Sequence, residues 1–276
     1  MSSSNFATPP PPSNEHIQIA FPKPSILLVT INRPKDLNCM NTPMNHYLHH
    51  LFTWFDNEPS LLCGIMTGTG RAFCAGADLK EWNESNSNEG SKARTMTSSG
   101  FGGLSRRAGK KPIICAVNGI CFGGGCEMII NSDIVIADSK AVFGLPEVKI
   151  GVVALAGALT RLVRTVGKQR AMEMAMTGRT LPAEEAREWG LVNKVVKGGV
   201  VEEAIKMADL ICANSPDSVI VSREGVKLGW EGVGAEEGTR VLAENWYTRM
   251  DGGENMKEGV KSFVEKRKPK WVPSKL

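Results

Sequence analysis

Runs of apolar and β-branched residues punctuate the first half of the chain. Residues 17–21 and 25–31, the latter reading Ser-Ile-Leu-Leu-Val-Thr-Ile, have the make-up of buried strands. Asn32-Arg33-Pro34 ends the second, because proline brings no N–H to a ladder. Residues 43–56 change to a helical period, with Thr42 as N-cap and Pro43 at the first helical position. Residues 61–68 read as a buried strand running into a glycine-rich turn, residues 113–117 as another, and residues 134–137 as a short one. Between them, residues 83–100 are dominated by Asn, Ser and Gly and read as a loop. From about residue 157 the period is helical: 157–166, 168–177, 183–189, 200–214, 216–229, 235–250 and 255–267, with 191–196 as one late strand.

Strands in the first half and helices in the last third make an α/β chain. The strands at 25–31, 61–67 and 113–117 each end in a turn containing Gly or Asn, which resembles a loose repeat of ββα units. Residues 1–15, with Ser2, Ser3 and Ser4 and the run Pro9, Pro10, Pro11, Pro12, read as a disordered or extended tail. At 276 residues, 42% of them hydrophobic, the chain can bury a full core as one large domain with a helical appendage. The longest uncharged run, residues 112–126, is broken by four glycines and an asparagine and is too short to span a bilayer. The start of the chain has neither the basic and apolar regions of a secretory signal nor an arginine-rich amphipathic pattern.

Charge changes this picture little. A net charge of +4 spread along the chain argues against nucleic acid as the main ligand and suits an anionic small molecule. The local runs, Arg106-Arg107 with Lys110-Lys111 and Lys266-Arg267-Lys268, read as solvated faces. Seven cysteines, an odd number in spacings that fit neither zinc nor a disulfide framework, indicate small buried hydrophobes in a reducing compartment. Cys74 and Cys126 have no histidine near them in sequence, so no thiolate nucleophile is expected. His46, His49 and His50 share one helical stretch and read as surface or packing residues.

Three segments carry chemistry. They are Gly70-Arg71-Ala72-Phe73-Cys74-Ala75-Gly76-Ala77-Asp78-Leu79-Lys80, then Asn118-Gly119-Ile120-Cys121-Phe122-Gly123-Gly124-Gly125-Cys126-Glu127, then Phe143-Gly144-Leu145-Pro146-Glu147. The first two are glycine-rich turns that follow apolar stretches and offer backbone N–H groups at a sheet edge. The triple glycine also opens a helix, whose free N–H groups and dipole favour negative charge. Two such N–H groups facing one point form an oxyanion hole, and two nearby carboxylates supply proton transfer next to a carbonyl. Taken singly, each feature has an ordinary structural explanation: a turn, a dipole-stabilising glutamate, an incidental Pro-Glu.

Together and in this order, the segments resemble the enoyl-CoA hydratase/isomerase (crotonase) family over residues 26–268. The likeness extends to Asn32-Arg33-Pro34, to Arg161-Leu162 and Gly167-Lys168, to Met172 through Gly178, to Gly190-Leu191-Val192 and to Phe263-Val264-Glu265-Lys266-Arg267. The resemblance implies a crotonase-type spiral of ββα units over residues 16–200 and a C-terminal helical trimerisation region over 201–270, giving a homotrimer or hexamer. It implies that the N–H groups of Ala77 and Gly124 hold the thioester oxygen, and that Glu127 and Glu147 are the acid/base pair. It implies that Ala77, Asp78, Leu79 and Lys80 line the CoA arm, with Gly124, Phe263 and Lys266 as further contacts, the last two across a subunit boundary. No metal and no redox cofactor is implied; coenzyme A comes as part of the acyl-CoA substrate. Keeping both glutamates favours a hydratase/dehydratase over isomerase or other crotonase chemistry, and over a non-catalytic CoA- or RNA-binding relative. A dinucleotide oxidoreductase built on Gly68-Thr69-Gly70 lacks the third glycine and a helix directly after it.

The chain also departs from the family pattern. Residues 153–158 read Val-Ala-Leu-Ala-Gly-Ala, with Leu155 where a glycine is usual, so an acyl pocket reshaped by Leu155 and Trp82 is expected. The stretch 100–107 is likewise specialised. The sequence resembles a filamentous-fungal subgroup, the siderophore-pathway mevalonyl-CoA hydratases. Ser274-Lys275-Leu276 reads as a peroxisomal targeting tripeptide, with the import receptor as partner.

Overall fold

The computed structural model describes residues 6–87 and 96–276. The first half holds β1 (Ile17–Lys23), β2 (Ile26–Ile31), α1 (Thr42–Asn57), β3 (Cys63–Gly68), β4 (Ala72–Cys74), α2 (Leu79–Ser87), β5 (Ile113–Val117), β6 (Ile120–Phe122) and α3 (Gly124–Ile130). Next come β7 (Ile134–Asp138), β8 (Val142–Gly144), α4 (Ala158–Val166), α5 (Lys168–Thr177), β9 (Leu181–Pro182), α6 (Ala183–Glu188) and β10 (Lys194–Val196). The chain ends in helices: α7 (Val200–Cys212), α8 (Pro216–Trp230), α9 (Ala235–Leu242), α10 (Thr248–Met250) and α11 (Glu254–Val264).

The larger sheet has the order β1-β2-β3-β5-β7-β10, antiparallel at β1/β2 and parallel elsewhere. Its central strands are mostly apolar because both faces are covered. Alternation is still visible in what each residue meets. Leu27, Val29, Ile113, Cys115 and Val117 belong to the main core with Leu48, Leu51, Phe52 and Phe55 of α1. Ile26, Ile114 and Ala116 face the other way, against Val200, Ala204 and Ala208 of α7. Each fully buried Leu, Ile or Phe of this kind contributes roughly 1.5–3 kcal/mol. The boundary expected at residue 201 therefore falls inside α7, a helix that caps the sheet; the helices beyond it start at α8.

A second sheet, β4-β6-β8-β9, was not expected from the sequence. Its strands have two or three residues each. That is below the length at which alternation can be told from chance. Successive strands alternate between the sheets: β3 to β4, β5 to β6, β7 to β8. Helices α2 and α3 follow the first two pairs, and a short 3-10 turn at Pro146–Ile150 follows the third. This is the expected spiral of ββα turns.

Several local expectations are corrected. Asn41, not Thr42, caps α1, its side chain accepting the Met44 N–H at 3.1 Å. The loop expected at 83–100 is helical as far as Ser87, and residues 88–95 lie outside those described. Of the tail expected to be disordered or extended, residues 6–15 form neither helix nor strand but are anchored. Phe6 packs at 4.7 Å from Phe21 and 5.6 Å from Trp54. The N–H of Ala7 donates to Glu58 Oε2, and the Tyr47 hydroxyl to the Pro12 carbonyl. One aromatic anchor outweighs the disorder that Ser and Pro favour. The basic run at 106–111 is only in part a solvated face: Arg106 is exposed, but Arg107 and Lys111 are buried. Arg107 pairs with Asp56, and Lys111 Nζ donates to the carbonyls of Phe55 and Glu58 at the C-terminal end of α1. Arg267, by contrast, pairs with Glu258 and Glu265 on the surface.

Candidate active site

The small sheet explains why three distant segments meet. In its parallel register Cys74 lies beside Cys121, and Phe122 beside Gly144. The strands β4, β6 and β8 thus end side by side, and the turns 75–78, 123–127 and 145–147 leave from one edge. The N–H of Gly123 donates to the Gly144 carbonyl at 3.0 Å, tying the second turn to the third. Gly76 (φ +105°) and Gly123 (φ +55°) hold backbone conformations that side chains rarely adopt. A Cβ at Gly76 would meet the Gly124 nitrogen at 3.4 Å, and one at Gly123 would meet Glu147 Oε1 at 3.3 Å.

Two backbone N–H groups are free at this edge. Met40 forms a single parallel bridge with Ala77: its N–H donates to the Gly76 carbonyl and its carbonyl accepts from Asp78, both at 2.9 Å. Bonding through Gly76 and Asp78 turns the N–H of Ala77 to the opposite side. Gly124 begins α3, so its N–H has no intrahelical acceptor. Among the described residues neither N–H has a hydrogen-bond partner. The ring of Phe101 lies against Gly124, where a Cβ would stand 2.6 Å from it.

Glu127, in the first turn of α3, is 4% exposed, and its Oε2 accepts the Ala158 N–H at 3.2 Å. Burial pushes its carboxyl up to about 7; the Ala158 N–H opposes the rise and the Glu147 charge adds to it. Burial also raises Glu147, whose Oε2 is buried with no hydrogen-bond partner among the described residues. An unpaired buried carboxylate oxygen costs about 1–3 kcal/mol or more, a cost retained at sites of chemistry. With the Glu127 carboxyl held at about 7, a proton is available near neutral pH, as an acid/base pair needs.

The remaining expected residues differ in exposure and partners. Asp78 turns inward to Arg33 at 3.0 Å, so its carboxylate is engaged by the scaffold. Leu79 is half exposed, Lys80 extends into solvent near Asp36, and Trp82 is half-buried on α2. Leu155 is 79% exposed between the buried Ala154 and Ala156, so it does not pack into the core. Phe263, at the end of α11, is 85% exposed, and none of the described residues covers it; Lys266 follows just beyond the helix. Burial pushes the Cys74 thiol up to about 12, which makes it inert, as expected of a buried cysteine.

Sequence reasoning missed the supports. Ser105 is fully buried; its Oγ accepts the Phe101 N–H and donates to the Ala156 carbonyl, both at 2.7 Å. It joins the loop that holds Phe101 against Gly124 to the loop that holds Ala158 against Glu127. The signal available was only that the stretch 100–107 looked unusual. Arg33 and Asn38 support the Ala77 turn, and only the Asn-Arg-Pro motif hinted at them.

Comparison with known proteins agrees with this geometry. A family model described as enoyl-CoA hydratase/isomerase matches residues 22–274. The mevalonyl-coenzyme A hydratase of Beauveria bassiana is 53% identical, over 98% of this chain and 99% of that protein. The mevalonyl-coenzyme A hydratase of Aspergillus fumigatus is 50% identical, over 96% and 98%. Among solved structures, an enoyl-CoA hydratase from Mycobacterium tuberculosis superposes with a TM-score of 0.85 at 32% identity, covering 95% of this chain and all of that one.

Proposed function

The chain belongs to the enoyl-CoA hydratase/isomerase family, and within it we propose a hydro-lyase that interconverts mevalonyl-CoA and its unsaturated dehydration product. The observation that carries this reading is the retained glutamate pair beside two free N–H groups, supported by the two mevalonyl-coenzyme A hydratases at 53% and 50% identity.

In the dehydration direction the thioester oxygen accepts from the N–H groups of Ala77 and Gly124. Charge that develops on that oxygen when a Cα proton leaves is stabilised there, and losing one such donor typically costs about 10²–10³ in rate. Ionised Glu147, with its unpaired Oε2, takes the Cα proton. Glu127, which holds its proton to about 7, gives it to the departing 3-hydroxyl, and water leaves. Hydration runs the same steps backwards, with the pair orienting and activating the attacking water.

The CoA arm runs along Ala77, Asp78, Leu79 and Lys80, with the exposed Lys80 ammonium available to a phosphate. Assembly into trimers or hexamers would cover Phe263, Val264 and Val260, an exposed apolar row on α11, and would bring Phe263 and Lys266 to a neighbouring CoA. Trp82 and Leu155 narrow the acyl pocket. Ser274-Lys275-Leu276 supports a peroxisomal address.

A panel of CoA esters followed by mass spectrometry tests the reading, using mevalonyl-CoA, crotonyl-CoA and a long-chain enoyl-CoA. Mevalonyl-CoA should have the highest kcat/KM. Leu155→Gly should shift preference toward the long chain by roughly 10-fold or more, the scale of a changed pocket lining. A wild type that handles the long chain best would overturn the substrate assignment.

A further inference from the structure

The Ala77 N–H points into the site only because residues 37–40 run alongside residues 75–78, and the chain reaches that position in an unusual way. Leu37 (φ +52°) and Asn38 (φ +58°) are consecutive non-glycine residues in the left-handed region. Such conformations are costly for residues with a side chain and persist only where surrounding contacts impose them. Asn38 is fully buried: its Oδ1 accepts the Arg33 N–H at 2.8 Å, and its Nδ2 donates to the carbonyls of Thr69 (2.9 Å) and Ala72 (2.7 Å).

The Arg33 guanidinium, whose side chain is 14% exposed, brackets the bridge. Its Nη1 donates to the Cys39 carbonyl at 2.8 Å, one residue before Met40, and to Asp78 Oδ2 at 3.0 Å, one residue after Ala77. Its Nη2 donates to Asp36 Oδ2 at 2.9 Å. The other Asp78 oxygen accepts the Lys80 N–H at the start of α2. One rigid planar fork therefore grips both segments of an isolated two-bond bridge, beside which the Ala75 N–H donates to the Leu37 carbonyl at 3.0 Å.

We propose that Arg33, acting through Asp78 and the Cys39 carbonyl, is the positioning residue of the oxyanion hole: it fixes the direction of the Ala77 N–H. This rests on the reading of Ala77 and Gly124 as that hole. Arg33 itself donates nothing to the thioester. Its effect falls on the reaction of the carbonyl and not on the grip on coenzyme A.

The test uses the full-length enzyme with Arg33→Lys and the milder, isosteric Asp78→Asn. Arg33→Lys keeps the charge but not the fork, and should lower kcat about 10–100-fold, as small misplacements of a reacting group do. KM and the Kd for free CoA, which has no thioester carbonyl, should stay within about twofold, because uniform binding is untouched. Asp78→Asn should show a smaller loss in the same direction. The double variant should lose little more than Arg33→Lys alone, because the two residues act as one unit. Infrared difference spectra of bound butyryl-CoA, which has the thioester but neither a double bond nor a 3-hydroxyl, report the polarisation directly. The wild type should shift the thioester C=O stretch to lower frequency and Arg33→Lys should reverse much of that shift. No shift in the wild type overturns the oxyanion-hole reading. A shift in the wild type that Arg33→Lys retains, with kcat unchanged, overturns the role of Arg33 alone. So does a parallel loss of kcat and CoA affinity.

Discussion

Glu127 and Glu147 are raised by the same burial that makes them useful. Replacing either with glutamine keeps the shape and removes the titrating proton. Each variant is expected to lower kcat by about 10²–10⁴, with much smaller changes in CoA-ester binding. Near wild-type turnover in either variant would remove that residue from the mechanism. Burial also has a consequence for stability, with a definite sign. Glu127 titrates near 7 in the folded protein against 4.5 ordinarily. Its ionised form is therefore disfavoured on folding, and stability falls as pH rises between those values, with the full penalty present above about pH 7. Glu127→Gln should melt higher than wild type at about pH 8, and the gap should close by about pH 4. A gap that stayed constant with pH would mean that Glu127 does not titrate in this window.

At the scale of elements, the site belongs to the ends of three very short strands and the start of one helix. Helix α3 supplies the Gly124 N–H and, three residues on, Glu127, so the donor and the carboxyl move together. Gly124→Pro deletes the donor, and the expected loss is about 10²–10³ in kcat. The ring of Phe101, which a Cβ at Gly124 would meet at 2.6 Å, adds a steric cost that should lower Tm as well. Thermal melts alongside kinetics separate the two effects. A folded Gly124→Pro enzyme with normal turnover would rule out the Gly124 N–H as a donor.

Across the whole molecule, the C-terminal tripeptide is part of the packing. Leu276 is 8% exposed against Ile220 and Val221, with Leu242, Trp246 and Met250 around them. Its terminal oxygen is bound by Lys110, and Lys275 pairs with Glu254. A receptor that reads this tripeptide must first lift it away. A fluorescent protein fused to the N-terminus is expected to reach peroxisomes, and deletion of Ser274, Lys275 and Leu276 to leave it in the cytosol. The same deletion should lower Tm by a few degrees, since one well-buried leucine contributes roughly 1.5–3 kcal/mol. Unchanged localisation after deletion would show that the tripeptide is not the address.

The long elements and the chemistry-bearing residues are legible in the linear pattern of the chain. Strands such as Ile113–Val117 and helices such as Pro216–Trp230 carry enough residues for their period to be read. Glycine triplets and glutamates at set spacings reflect local needs: a turn, a helix start, a proton carrier. Tertiary structure alone decided what lies beside what. The second sheet escaped notice because its strands owe their existence to neighbours and not to their own two or three residues. Arg107 and Lys111 looked like surface charges, yet the carbonyls at the end of α1 and the Asp56 carboxylate, distant in sequence, make their burial tolerable. Phe6 anchors a segment whose composition favours disorder, because Phe21 and Trp54 come together only in the fold. The direction of the Ala77 N–H depends on one bridge to Met40, a contact between distant residues that no local pattern encodes.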